Sequence, residues 1–407
     1  MEIQAAGVIR VLIGSLRKKI LNILYDNIIF DLQQSGGISL YWSELIKQHL
    51  QDKQNAISFL ERDSGPSKNF YRHQLHLPRF AISRYKRFLP LSMERYFPIA
   101  KQLNFDVFHS SYYRYPSKRV KDSVRIVTAH DFIYERCLSG LRRTLHSTQK
   151  YHALSSADGI ICISESTRND LRSLYPELNG KTIKVIYNGV SNIYRQLKGD
   201  VSLLLPGRYH ITFPYILYVG ARTASYKNFR LVIEALKSNP SYNLVLVGGG
   251  NLQRGEIQLL NTHVKSRYQH LQYIPEPDLN MLYNGAHCLL YLSSYEGFGL
   301  PLLEAQRAGC PVVACLNSSI PEIAATPASL LMKPDLSLVN KEIRKLEGQS
   351  YREQLIKPGI LKSQSFSWEK CYQETLGFYQ EILLNASQEK PYHPAKTHGV
   401  IREESHV

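Results

Sequence analysis

The stretch Ser293-Ser294-Tyr295-Glu296-Gly297-Phe298-Gly299-Leu300-Pro301-Leu302-Leu303-Glu304 decides how the rest of this chain is read. It follows an apolar run at 288–292 that reads as a buried strand, and it opens a helix whose first turn accepts Pro301. Free backbone N–H groups at such a helix start attract anions. Pro301 offers none, so Leu300, Leu302 and Leu303 are the expected donors. Gly297 and Gly299 let the backbone approach a ligand closely. Glu296 sits in the loop and Glu304 within the helix, so the two carboxylates can address different parts of one extended ligand. The plainer alternative makes both of them surface glutamates beside a tight strand–helix turn.

Outward from this stretch, short apolar runs alternate with amphipathic ones. Residues 20–30, 56–60, 107–109, 124–129 and 159–163 read as strands, with helical periodicity at 41–50 and 166–174. The pattern restarts at 215–219, 244–247, 272–274, 288–292 and 311–315. Strands alternating with helices argue for βαβ units and parallel sheets, here in two successive sets. The expected fold is α/β, with two Rossmann-like domains facing across a cleft. A chain of 407 residues exceeds what one core usually holds. The expected division is an extension at 1–19, a first domain at 20–190, a linker at 191–214 and a second domain at 215–366. A helix at 367–384 should return to the first domain, and 385–407 reads as a loose tail.

A second motif, Val219-Gly220-Ala221-Arg222-Thr223-Ala224-Ser225-Tyr226-Lys227-Asn228, follows the first strand of the second set. Arg222 and Lys227 can point into the crevice at that strand's C-terminal end, where open α/β sheets bind ligands. Two cations there would hold a diphosphate and neutralise a leaving group. Taken alone, the pair reads equally as two solvated basic residues. In the first half, Ser35-Gly36-Gly37-Ile38 makes a glycine turn opening a helix, and Thr128-Ala129-His130-Asp131 ends a strand. His109, within Phe108-His109-Ser110-Ser111-Tyr112-Tyr113, also ends a strand. Ser164-Glu165-Ser166 reads as a helix cap.

Glu296 and Glu304, with Gly-Phe-Gly-Leu-Pro between them, resemble the signature of the large retaining GT-B glycosyltransferase family often called family 4, or group 1. The resemblance spans about residues 20–384. It implies that Glu296 contacts a donor sugar, that Glu304 binds ribose hydroxyls, and that the amides of Gly297, Phe298, Gly299 and Leu300 meet sugar and phosphate. It likewise implies diphosphate binding by Arg222 and Lys227, a sugar contact for His130, and donor contacts for Gly36, Gly37, Gly249 and Ile274. Glu296, His130, Arg222 and Lys227 become the catalytic candidates, with His109, Tyr112 and Asp131 on the acceptor side. The Tyr226-Lys227-Asn228-Phe229 form is similar to one subgroup of polysaccharide-assembly, mannosyltransferase-like enzymes. The expected reaction moves a sugar from a nucleoside diphosphate sugar, GDP-mannose first, to a glycan or lipid-linked acceptor hydroxyl. No cofactor is expected beyond that co-substrate.

Composition sets the competing classes. A net charge of +16 and a pI near 9.4 favour anionic partners without choosing among them. Nucleic acid is disfavoured, because the basic residues are dispersed and no helix-turn-helix, zinc or RNA-recognition pattern occurs. A nucleotide-sugar epimerase on the same scaffold would not need the glutamate pair. No Asp-x-Asp and no His/Cys ligand cluster is present, so no metal is expected. Asn179-Gly180-Lys181-Thr182 ends like a phosphate-binding P-loop, but Tyr175 stands where its first glycine should be.

Six cysteines without a C-x-x-C pair read as reduced core thiols of a cytoplasmic protein. No apolar run approaches the roughly 18 residues of a spanning helix, and Arg17-Lys18-Lys19 follow rather than precede the leader's apolar stretch, unlike a secretory signal. Leu77-Pro78-Arg79-Phe80-Ala81-Ile82-Ser83-Arg84-Tyr85-Lys86-Arg87-Phe88-Leu89 interleaves cations with apolar residues. It reads as an interfacial helix on an anionic membrane surface, peripheral on its inner face, or as a helix docked on the first domain with a solvated basic face.

Overall fold

The computed structural model describes residues 20–388, apart from positions 64, 66, 87, 88, 102, 103, 200 and 204. The expected extension at 1–19 and most of the expected tail lie outside the described residues.

Two parallel sheets carry the chain. The first comprises β1 (Asn22–Asp26), β2 (Ala56–Arg62), β3 (Ile82–Tyr85), β4 (Val107–Ser110), β5 (Val124–Ala129), β6 (Gly159–Cys162) and β7 (Thr182–Val185), in the order β3-β2-β1-β4-β5-β6-β7. The second comprises β8 (Tyr215–Val219), β9 (Asn243–Val247), β10 (Tyr268–Leu271), β11 (Leu289–Tyr291), β12 (Val312–Cys315) and β13 (Leu330–Leu331), in the order β10-β9-β8-β11-β12-β13. Every residue of β4, β5 and β6 is buried. Helices cover both faces of such a sheet, which is why these strands read as largely apolar, with His109, Ser110, Arg125 and Thr128 as the buried polar exceptions. In each sheet the strand order reverses beside its first strand, between β1 and β4 and between β8 and β11. Crevices at such switch points are where open α/β sheets bind ligands. The chain is thus an α/β protein of two Rossmann-like domains, the GT-B architecture.

Several local expectations change. Among the described residues of 77–89 there is no α-helix: a 3-10 turn (Arg79–Ala81) leads into β3, which pairs with β2 from Phe59↔Ile82 to Arg62↔Tyr85. Its mixture of cations and apolar residues fits period two as well as period 3.6, and exposed Arg84 and Lys86 guard a sheet edge. Arg87 and Phe88 lie outside the described residues. The strand expected at 272–274 lies earlier, at β10, whose four half-buried residues are too polar to mark it. The stretch expected as a linker, 191–214, is tied to the second domain. Arg195 N donates to Asn280 Oδ1 (3.0 Å), Leu197 N to Asn284 Oδ1 (2.8 Å), and Arg208 pairs with Asp278 (2.7 Å), all in the second domain.

The last helix (Trp368–Gln388) runs four residues past its expected end and takes in Asn385-Ala386-Ser387. Its Phe378 and Tyr379 are fully buried, and Tyr372 Oη donates to Asp52 of the first domain (2.7 Å). At the crossing, a Cβ on Gly189 would lie 2.1 Å from Trp368 N, so only glycine admits this approach. No helix among the described residues is long and apolar enough to cross a membrane.

Candidate functional site

A cavity of about 710 Å³ lies between the C-terminal ends of the two sheets. The loop from Glu296 to Pro301 forms one wall, with Glu304 behind it and Lys227 beside it. Gly36, Gly37, His130 and Asp131 face them from the first domain. Gly249 and Ile274 close one side.

The chemistry of the second-domain wall starts with one ion pair. Lys227 Nζ donates to Glu296 Oε1 at 2.6 Å and lies 5.3 Å from the centre of the Tyr226 ring. Both partners are largely buried, where a charge is tolerated because the other balances it. The Glu296 loop is held from behind. Glu296 N donates to Ser318 Oγ (2.8 Å), while Ser319 Oγ lies within hydrogen-bond reach of the carbonyls of Glu296 (3.0 Å) and Phe298 (2.8 Å). Gly299, at φ 109°, caps the helix Leu300–Ala308. The expected donors Leu302 and Leu303 are already used, since both amides donate to Gly299 O (3.0 and 3.4 Å). That is the ordinary consequence of an N-cap carbonyl taking the first intrahelical bonds. Leu300, at the first helical position, lines the cavity.

Glu304 is buried and accepts from Tyr283 Oη at 2.8 Å. Burial raises its pKa from 4.5 to about 7; the Tyr283 hydrogen bond opposes the shift and nearby Glu276 adds to it. Glu276 lines the same end of the cavity. His130 stands opposite. Its ring meets Tyr41 edge-on at 5.0 Å between centroids, and its buried Nε2 has no hydrogen-bond partner among the described residues. Burial, with Lys150 adding to it, lowers its pKa to about 3, so the imidazole is neutral at physiological pH. Asp131 lines the cavity too, and its Oδ1 accepts from Ile133 N (3.1 Å). Burial raises its pKa.

Three expected residues are elsewhere. Arg222 does not line the cavity: its side chain is fully buried against the loop after β9. Nη2 donates to Gly250 O (2.9 Å) and Gly249 O (3.3 Å), Nη1 to Gly248 O, and Nε meets Glu256 at 2.9 Å. Gly248, Gly249 and Gly250 have φ of 77°, 71° and 69°, a left-handed curl that turns three carbonyls onto one guanidinium. His109 is inside the sheet. Its Nδ1 is 2.5 Å from Tyr379 Oη and its Nε2 is 2.8 Å from Thr128 Oγ1, so it ties the last helix to β5. Tyr112 Oη bonds His146 Nε2 (2.8 Å) and is absent from the cavity wall. Sequence reading missed Tyr283, Glu276, Ser318 and Ser319. Only Asn317-Ser318-Ser319-Ile320-Pro321, a strand end followed by cap residues and proline, carried a signal.

Two facing Rossmann-like domains with a polar cavity between their strand ends define the GT-B class. Comparison with known proteins narrows it. Residues 35–192 match the family described as Glycosyltransferase Family 4, and residues 211–361 match that described as Glycosyl transferases group 1. The chain is a GT-B glycosyltransferase of family 4. It is 28% identical over 313 residues to the O-antigen chain mannosyltransferase B of Escherichia coli, covering 74% of this chain and 76% of that protein. Among solved structures, sucrose-phosphate synthase from Thermosynechococcus elongatus superposes with a TM-score of 0.70 at 18% identity, over 90% of this chain and 99% of that one. Anabaena Alr3699/HepE in complex with UDP and glucose gives 0.66 at 17% identity, over 88% and 99%.

Proposed function

We propose that this glycosyltransferase moves mannose from GDP-mannose to a hydroxyl of a glycan or lipid-linked acceptor, with retention of anomeric configuration, in the synthesis of a cell-surface polysaccharide. The observation that carries the reading is the Lys227–Glu296 pair at 2.6 Å in the cavity wall, with Glu304 along the same wall and neutral His130 across from it. Lys227 meets the charge that grows on the departing diphosphate, with the Leu300 amide beside it. Glu296 takes sugar hydroxyls, Glu304 takes the ribose, and the free Nε2 of His130 serves the sugar from the other side. No side chain is assigned as a double-displacement nucleophile. Attack is from the front face through an oxocarbenium-like transition state, and a donor phosphate oxygen takes the acceptor's proton. The named mannosyltransferase relative supports the sugar, and the HepE complex with UDP and glucose supports a nucleotide-sugar donor.

The test is a panel of GDP- and UDP-sugars in a thermal-shift screen, followed by NMR of the product linkage with and without EDTA. GDP-mannose should stabilise the protein, and the product should keep the donor's configuration in EDTA. An inverted linkage, or stabilisation by UDP-sugars alone, overturns the mechanism or the donor respectively.

A peripheral membrane role belongs to the same reading. Met93 and Phe97 are exposed on one segment of the first domain, and Leu141 and Leu145 on the helix Leu141–Ser156, which Gln149 joins to that segment through Arg95 O (2.6 Å). Arg142 and Arg143 are exposed among them. Such a mixed surface suits anionic lipid. Sedimentation with vesicles should show binding that requires anionic lipid and weakens with salt; equal binding to neutral vesicles removes the idea.

A further inference from the structure

The helix Glu165–Leu174 of the first domain has no part in the chemistry above, yet it grips the loop that carries Glu296. Ser164 is its N-cap, accepting from Thr167 N at 3.0 Å, as a Ser-x-x-Thr start dictates. The same hydroxyl lies 2.8 Å from Gly297 O, across the cleft, and Thr167 Oγ1 lies 3.3 Å from that carbonyl. The helix's unpaired first amides are taken by the other domain: Glu165 N and Ser166 N each donate to the Glu322 carboxylate at 2.8 Å. One turn on, Asp170 Oδ2 accepts from Tyr295 Oη at 2.6 Å, and that phenol oxygen accepts from Phe132 N at 3.1 Å. The contact is close at the backbone as well. A Cβ on Gly297 would stand 2.1 Å from His130 O.

Both neighbours of Glu296 are therefore held by the first domain, Tyr295 by its side chain and Gly297 by its carbonyl. Glu296 itself is held from the second domain, its backbone by Ser318 and Ser319 and its carboxylate by Lys227. We propose that Ser164, Thr167 and Asp170 are positioning residues for Glu296: they bring its carboxylate into register with the donor sugar while touching no part of the donor. The proposal rests on the reading of Glu296 as the sugar-contacting residue. It predicts a separation. If the nucleotide rests on the second-domain wall, its affinity should not depend on this grip, whereas turnover should.

The experiment uses the full chain with Tyr295→Phe, Asp170→Ala and the double variant. GDP affinity is read by calorimetry, turnover with GDP-mannose, and the loop by hydrogen exchange over residues 293–299. Each single variant should lower kcat about tenfold, leave the Kd for GDP within about twofold, and speed exchange in that loop more than elsewhere. The double variant should lower kcat by less than the product of the two single losses, because the Tyr295–Asp170 hydrogen bond is common to both, while Phe132 N on one side and Arg136 on the other are not. Unchanged kcat, a GDP affinity that falls in step with kcat, or independent multiplying effects would overturn the proposal. If the wild-type protein turns over no donor while exchange still quickens in the variants, the grip stands and the donor reading fails. If exchange does not change, the grip itself is wrong.

Discussion

The two walls of the cleft are built on different electrostatic plans. The second-domain wall concentrates charge: Lys227 against Glu296, and Glu304 held by Tyr283 beside Glu276. On the first-domain wall, His130 is neutral, Gly36 and Gly37 carry no side chain, and the Asp131 carboxyl is engaged by its own backbone at Ile133. A wall of paired charges can exchange an internal partner for a ligand's phosphate or hydroxyls. A wall whose one carboxyl is engaged by its own backbone supplies shape and single hydrogen bonds. The difference argues that the nucleotide and its leaving group belong to the second domain, and that the first domain contributes to the reacting sugar and the acceptor.

Alanine scanning across both walls is the sharpest way to break this comparison. Glu296→Ala should have the largest effect, a loss of turnover on the order of a hundredfold or more, with GDP binding nearly intact. Lys227→Ala should cost about 1.5–3 kcal/mol, or roughly ten- to a hundredfold, in both GDP affinity and turnover. His130→Ala should lower turnover about tenfold with GDP affinity unchanged, since it faces the sugar from the other domain. Arg222→Lys should give the smallest change, a few-fold in nucleotide affinity, because the lysine keeps the charge but cannot hold three carbonyls at once. Calorimetry with GDP beside turnover of GDP-mannose reads all four. If His130→Ala weakens GDP as much as Lys227→Ala does, the walls do not divide the work.

The same two walls differ in how far they were legible. The second-domain loop is a local motif: a strand, two glycines, Pro301 and two glutamates fix one another within twelve residues, so its geometry follows from its order. Arg222 was misplaced because its partners, Gly248 to Gly250 and Glu256, lie more than 25 residues away and nothing near Arg222 announces them. The first domain shows the limit more plainly. His109 and His130 both sit at strand ends in sequence. His109 is still inside β4, where the pleat turns its side chain toward the last helix, more than 250 residues downstream. His130 lies one residue past β5, where the chain has left the sheet and turns into the crevice. One histidine lies a residue before the end of its strand and the other a residue past the end of its own, and where a strand ends is set by pairing that sequence alone does not display. The grip on Tyr295 and Gly297 was hidden for the same reason: Ser164 reads correctly as a cap, and its second contact is across a domain boundary.

Glu304 gives the finest test, because its charge state bears on both ribose binding and the stability of the fold. Burial raises its pKa to about 7, so below neutral pH the free protein holds it mostly protonated. A ribose diol offers two O–H donors, which favour the ionised acceptor. The binding-competent fraction therefore grows with pH, and apparent affinity for a nucleoside should rise roughly tenfold from pH 6 to pH 8. Guanosine is the proper probe, since it lacks phosphates whose own ionisation would blur the profile. Glu304→Gln should flatten the curve. Stability should run the other way. Between the ordinary 4.5 and about 7 the folded state holds a proton that the unfolded state has released, so stability falls as pH rises through that window. Glu304→Gln removes this penalty, so its Tm relative to wild type should be higher at pH 8 than at pH 5. His130, with a pKa near 3, stays neutral over the affinity range and cannot produce either trend there. A guanosine affinity independent of pH, with the stability trend intact, would leave Glu304 a buried carboxyl of the helix and remove it from the ribose.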